Sequence, residues 1–244
     1  MIPDPFAGVA SLSFRSSVAI ADLADGTYSS SDTLTFNGTS VSGINISGHH
    51  SFSASGFTIQ TDSYDKRYFT VSPENSQRYA FGPFNLGFTD FTVVFVISLM
   101  NLENTDFLTY GIYPDNEFNI TIGNIYGFWN AEYPYTQVST TQKTNYSNAT
   151  YLLKMVSYKH STSTLTIMFR TDTSNNHQEF NITSHTFPTS QERAFALTAS
   201  AGPHRVYELM TFPGEYMTSD RATYPLFGTV EDYVSNEYGI HPPP

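Results

Sequence analysis

Apolar and polar residues alternate in short stretches along most of this chain, with turn-forming residues between them. The clearest stretch is Phe91 to Leu99 (FTVVFVISL), where Phe91, Val93, Phe95, Ile97 and Leu99 share one face at period two. Val94 and Val96 add apolar groups to the other face, so this strand is expected in a sheet covered on both sides. Phe118, Ile120 and Ile122 alternate with Glu117, Asn119 and Thr121, the pattern of a half-buried strand. Thr33 to Phe36 runs into Asn37-Gly38, a strong hairpin-turn dipeptide. Phe57 to Gln60, Tyr68 to Val71, Ala194 to Ser200 and Val206 to Phe212 are further strand candidates. Tyr151 to Tyr158 and Thr164 to Arg170 flank a five-residue loop, Lys159 to Ser163, and read as a hairpin with Leu165, Ile167 and Phe169 toward the core. Residues 1–32 mix Ala, Ser, Asp and Gly with short apolar stretches, and read either as an arm or as the first strand.

One stretch has helical period instead. Leu226, Val230, Tyr233, Val234 and Tyr238 recur at helical spacing, with Pro225 suited to the first helical position and Gly239 to the position past the end. This helix is expected to lay its apolar stripe on the edge of a β-structure. Many short strands separated by turn signals, and one helix, predict an all-β sandwich or barrel. At 244 residues one such domain is sufficient, over residues 33–240, with a Pro-rich tail at 241–244.

Composition supports a folded β-protein and removes several functions. Charged residues make up 14% and aromatics 16%, with 17 Tyr and 20 Phe, a profile that favours strands and excludes disorder. The formal net charge is −11, and the 11 basic residues are scattered, with only Lys66-Arg67 adjacent. Nucleic-acid binding needs a clustered basic face and is set aside. With no cysteine there is no disulfide framework, zinc–thiolate site or cysteine nucleophile. The opening Met-Ile-Pro-Asp-Pro-Phe shows no basic region and no apolar stretch of signal-peptide type follows it. The longest apolar run, Phe91 to Leu102, is too short for a membrane-spanning helix, so no membrane insertion is expected.

Three segments resemble concanavalin A-like (laminin-G-like) β-sandwich domains, including those on phage and virus particles. Phe91 to Leu99 looks like their central strand, and Tyr151 to Phe169 like their hairpin. Arg205 to Ile240 looks like their closing strand, loop and helix, through Glu208-Leu-Met-Thr-Phe212 and Tyr233-Val-Ser-Asn-Glu-Tyr238-Gly-Ile240. Pro225 departs from the pattern, because it splits what is often one continuous helix. The resemblance implies a jelly-roll sandwich of two antiparallel sheets with a short C-terminal helix. It also implies a non-enzymatic virion surface or structural protein: a decoration, spike, fibre or minor capsid component. Its partners would be other capsid or fibre subunits and host surface glycans, within an oligomer or larger assembly on the virion surface. The Pro-containing segment Met1 to Ala10 is the expected anchor. A free, extracellular carbohydrate-binding lectin is the first alternative, and a glycoside hydrolase with unrecognised acids the second.

Candidate sites follow from residue chemistry. Tyr126, Phe128, Trp129, Tyr133 and Tyr135, interleaved with Asn130 and Glu132, could offer flat rings and hydrogen bonds to a sugar. The same rings could instead pack a long loop onto the sandwich, which the area they bury favours. Asp22, Asp25 and Asp32 are weak candidates for calcium, the one cofactor the resemblance admits. Their spacing lacks the regular calcium-loop pattern and reads better as a solvated turn. His49 and His50 are adjacent and would alternate across a strand, which does not suit one metal. Sequons at Asn37, Asn45, Asn119, Asn145, Asn148 and Asn181 fit a chain rich in Asn, Ser and Thr. Glycosidases of this type set carboxylates on alternate strand residues, and only Asp115 and Glu117 show that spacing, at a loop-to-strand junction. Glu208 stands in an otherwise apolar strand. If buried, it needs hydrogen bonds or an Arg partner, since an unpaired buried charge costs several kcal/mol, roughly.

Overall fold

The computed structural model describes residues 4–28, 33–36, 39–43, 57–71, 79–98, 107–113, 118–123, 129–133, 136–140, 150–172, 177–182, 193–201 and 204–241. Its strands are β1 (Phe14–Arg15), β2 (Gly26–Tyr28), β3 (Thr33–Phe36), β4 (Thr39–Gly43), β5 (Phe57–Thr61), β6 (Arg67–Val71), β7 (Tyr79–Gly87) and β8 (Phe91–Ser98). There follow β9 (Phe107–Tyr113), β10 (Phe118–Gly123), β11 (Trp129–Tyr133), β12 (Thr136–Thr140), β13 (Tyr151–Lys159) and β14 (Thr164–Thr171). The last three are β15 (His177–Ile182), β16 (Arg193–Ala201) and β17 (His204–Pro213). The α-helices are α1 (Ser16–Ala19) and α2 (Pro225–Tyr238). For β9 to β12 and β16 the description is of backbone and register.

The strands form two antiparallel sheets. The larger runs β15-β14-β13-β8-β17-β6-β5-β2, with β1 also pairing β17. The smaller runs β12-β11-β10-β9-β16-β7-β4-β3. The chain changes sheet at each step from β7 through β9 and again from β15 through β17. These crossings produce the jelly-roll sandwich that the closing segment implied. They also seat β16 and β17 in the interiors of their sheets, between strands from the first half of the chain.

All eight residues of β8 are buried, as the two-faced apolar pattern requires. Phe91, Val93, Phe95 and Ile97 join Leu152, Val156, Leu165, Ile167 and Phe169 in the core between the sheets. Val94 and Val96 join Leu153, Met155, Met168, Met210 and Phe212 in a second core, on the far side of the larger sheet. Phe227, Val230, Val234 and Tyr238 of α2 close that second core. The helix therefore covers the outer face of the sheet, where the edge had been expected. The reason lies in β8, β13 and β17, which carry apolar residues on both faces and leave an outer face that must be buried. Each such side chain contributes about 1.5–3 kcal/mol when removed from water.

Pro225 sits in the first turn of α2 and Gly239 ends it at φ 67°, the left-handed conformation that favours glycine. Pro225 thus opens the helix and does not split it. Residues 4–28 pack on the same framework: Phe6 and Leu12 lie in the outer core, and Phe14 and Ile20 in the inner one.

Candidate functional site

The expected aromatic site falls mainly on β11. Tyr126, Phe128 and Tyr135 lie outside the described residues. Trp129, Asn130, Glu132 and Tyr133 are within the strand, where period-two alternation puts Trp129 and Tyr133 on one face and Asn130 and Glu132 on the other. The rings and the polar groups grouped by sequence are therefore divided between faces.

Register shows which face is which. Directly opposed residues share a face, and Phe84 of β7, fully buried in the inter-sheet core, opposes Phe195. Phe195 opposes Ile112, and Ile112 opposes Phe118, so this row belongs to the inward face. The row Leu197, Tyr110, Ile120, Ala131 and Val138 lies on that face, as does the row Ala199, Leu108, Ile122, Trp129 and Thr140. Trp129 is in this apolar set.

The opposite face carries two other rows. One is Thr198, Thr109, Thr121, Asn130 and Ser139. The other is Ala196, Gly111, Asn119, Glu132 and Gln137. Four inter-strand steps of about 4.8 Å make this face about 19 Å wide. Apart from Ala196 and Gly111, these two rows hold amides and hydroxyls with a single carboxylate, able to donate and accept hydrogen bonds without strong charge, and Phe107 and Tyr113 of β9 fall on the same face. Sequence reasoning found Asn130 and Glu132 but missed Thr109, Thr198, Gln137 and Ser139. The alternation of Asn119 and Thr121 with isoleucines was the available signal, and only strand pairing joins it to the others.

Glu208, Glu231, Asp62, Asp90 and Asp172 are engaged in holding the fold. Glu208 is fully buried, and its Oε1 accepts from Ser16 Oγ at 3.2 Å and Ser17 N at 3.1 Å. Its Oε2 accepts from Ser17 Oγ at 2.6 Å, Tyr233 OH at 2.7 Å and Arg15 Nε at 3.4 Å. Both the hydrogen bonds and the arginine expected for a buried acid are present. Burial works against the Arg15 charge, but Glu208, with Tyr233 and Asp4, outweighs it and holds the guanidinium pKa above its ordinary value. Burial and Glu208 raise that of Tyr233. Glu231 of α2 is buried and pairs with Arg170 of β14, while Arg221 lies 3.1 Å from its other oxygen.

Asp62 caps the β5–β6 turn, accepting from Tyr64 N and Lys66 N at 2.9 Å each and from Tyr207 OH at 2.9 Å. Burial, helped by that bond, pushes the Tyr207 hydroxyl up, and burial with the nearby Asp62 charge brings Tyr151 to about 12. Asp90 accepts from His160 N at 2.7 Å, and Asp172 from Thr150 N at 2.9 Å. Of the calcium candidates, Asp25 pairs with Arg67 at 3.2 Å and accepts from Thr61 N at 3.0 Å. Asp22 is exposed and Asp32 lies outside the described residues. Among the described residues no cluster of three metal-ligating side chains occurs. Asp115, Glu117, His49 and His50 also lie outside the described residues.

Lys154 of β13 is fully buried and, by alternation with Leu152 and Val156, faces the space between the sheets. Burial drives its pKa well below the ordinary lysine value.

No family model and no curated protein matches the chain in sequence. Solved structures resemble it in fold. Arcelin-5, a lectin-like defence protein from Phaseolus vulgaris, is 11% identical, with 63% of this chain and 88% of that one covered at TM-score 0.45. The exoplasmic/lumenal domain of VIP36 is 12% identical, with coverages of 66% and 85% at TM-score 0.45. A protein of unknown function from Shewanella oneidensis MR-1 is 8% identical, with coverages of 73% and 81% at TM-score 0.48. The likeness is confined to fold, and the two-sheet assignment stands on the strand pairing itself.

Proposed function

We propose that this chain is a non-catalytic β-sandwich that binds a glycan across the polar face of its smaller sheet. The observation that carries this reading is the pair of register rows in which Thr109, Thr121, Asn130, Ser139, Asn119, Glu132 and Gln137 share one face. Such a face can match the mixed donors and acceptors of sugar hydroxyls. The engagement of Glu208, Glu231, Asp62, Asp90 and Asp172 in turn caps, buried hydrogen bonds and ion pairs supports a non-catalytic role. A glycosidase needs two carboxyls free to face a substrate across a groove.

The setting we propose is the surface of a virus or phage particle, as a decoration, spike, fibre or minor capsid component. Its partners there are other capsid or fibre subunits and host glycans, and the support is the closing-segment resemblance. A free extracellular lectin would use the same face in another setting.

A glycan array followed by calorimetry tests the binding. The double substitution Asn130→Ala, Gln137→Ala is expected to weaken a hit by about tenfold, equivalent to one or two lost hydrogen bonds. An array with no hits, or a hit unaffected by the double substitution, refutes the assignment. Immunogold labelling that finds the protein only off particles refutes the setting and leaves the glycan site standing.

A further inference from the structure

The segment before β1 is docked in an unusual way. Between Asp4 and Leu12 its main-chain hydrogen bonds to described residues stay local: Ala7 N to Asp4 O at 3.1 Å, Val9 N to Phe6 O at 3.0 Å and Leu12 N to Val9 O at 3.2 Å. Ser13 N then donates to Thr211 O of the sandwich at 2.9 Å. The segment is held by side chains, with Val9 and Leu12 packed on the outer core and two further anchors near its start. The Phe6 ring is 3% exposed and sits 5.4 Å from Tyr233 and 6.4 Å from Phe212. Asp4 Oδ1 lies 2.7 Å from Arg15 Nη1. The Arg15 guanidinium lies against both rings, 4.9 Å from the centroid of Phe6 and 4.5 Å from that of Tyr233.

The receiving walls do not depend on this plug. Glu208 fixes Arg15 through Nε and Tyr233 through its hydroxyl, and Phe212 is anchored in β17. They present a guanidinium edge beside two rings, matched to a carboxylate two residues before an aromatic. The connection to β1 is loosely held: Ala7, Gly8 and Ala10 are exposed, and Gly8 adopts φ 82°. Segments rich in exposed backbone open at the lowest free energy.

We infer that Arg15, Phe212 and Tyr233 form a recognition groove for an Asp-Pro-Phe segment, filled in cis by residues 4–6 and able to accept the same residues from a second copy of this chain. The occupant fits by construction, because the sequence that fills the groove in one copy is present in every other. Exchange across the 7–11 connection, exposed at Ala7, Gly8 and Ala10, would link copies without any new surface, the low-cost route by which identical elements swap. This inference is independent of the glycan site, which lies on the other sheet.

The test uses the full chain with its own plug weakened. A fluorescent peptide of residues 1–11 is titrated into the Phe6→Ala variant and into the wild type, with anisotropy as the readout. Saturable binding at micromolar concentration is expected for the variant. Binding to the wild type should be at least about tenfold weaker, because the tethered segment competes at millimolar effective concentration. Peptides carrying Phe6→Ala or Asp4→Asn should each lose about tenfold or more. If Phe6→Ala fails to fold, Asp4→Asn in the full chain reads the same competition. A folded variant that takes up no peptide overturns the proposal, as does equal binding of all three peptides or equal affinity in variant and wild type. For the second copy, light scattering on concentrated wild type should show dimer that excess peptide returns to monomer. Monomer at every concentration overturns copy-to-copy exchange.

Discussion

Replacing Glu208 with alanine should be among the most damaging single changes in this protein. The carboxylate is fully buried and accepts from Ser16 Oγ, Ser17 N, Ser17 Oγ, Tyr233 OH and Arg15 Nε. Alanine leaves a buried guanidinium with only Asp4, whose side chain is half exposed, as its counter-charge. It also strands the Ser17 amide. Removing one partner of a buried, hydrogen-bonded pair costs about 3–5 kcal/mol. For a domain of this size that corresponds to a fall in Tm of roughly 10 °C. Urea unfolding followed by circular dichroism measures it, with the midpoint expected to fall at an unchanged m value. Glu208→Gln keeps one acceptor and the side-chain shape, so its loss should be smaller. The double variant Arg15→Met, Glu208→Leu should recover part of the loss, since no charge remains buried. A Glu208→Ala variant within about 1 kcal/mol of wild type would refute the reasoning, because exposed ion pairs are worth no more than that.

Lys154→Met should raise stability at neutral pH. Burial holds the folded-state pKa of Lys154 below its ordinary 10.5, so folding releases a proton. Wild-type stability is therefore greatest above that value and declines as pH falls toward the folded pKa, whereas the methionine variant lacks this slope. Unfolding free energies measured at pH 7 and pH 10 check it, and an equal slope in both proteins would sink it. Asp62→Ala should destabilise by about 1–3 kcal/mol, because the Tyr64 and Lys66 amides and the Tyr207 hydroxyl lose their shared acceptor. Thermal unfolding reads that loss, and faster amide exchange at residues 64 and 66 would place it in the turn.

Individual strands with strong alternation were legible in the sequence. Thr33–Phe36 carries it, while the hairpin strands from Tyr151 and Thr164 and the strand from Val206 were legible as apolar runs bounded by turn signals. So were the ends of α2, because a proline at the start and a glycine at the finish act locally. What escaped depends on pairing. Phe14–Arg15 is too short to show a period, and it exists as a strand because Thr211 and Met210 lie beside it. The position of α2 escaped too, since a stripe of apolar residues says that a helix is buried and not against what. The expected glycan cluster was grouped by proximity in sequence, whereas a strand sorts neighbours onto opposite faces. Glu208 was marked as needing partners, but Ser16, Ser17 and Arg15 lie almost two hundred residues away along the chain.

The two sheets divide the work of the molecule according to their outer faces. The larger sheet has apolar residues on both sides, so both ends of the chain are used to close it. The segment from Asp4 covers one part through Phe6 and Leu12, and α2 covers the rest through Phe227, Val230 and Val234. Glu208 ties the two covers together, bonding Ser17 on one side and Tyr233 on the other. An anchor at residues 1–10 of the kind expected from the sequence would therefore have to compete with this cover before it could engage a neighbour, as the proposed exchange at the groove beneath Phe6 requires. In the smaller sheet the rows rich in Leu, Ile and Phe share the face of Phe84, and two rows of the other face carry Thr, Ser, Asn, Gln and Glu132. Recognition of a polar ligand and linkage between copies would then reside on opposite faces of one sandwich, and each could be lost without the other.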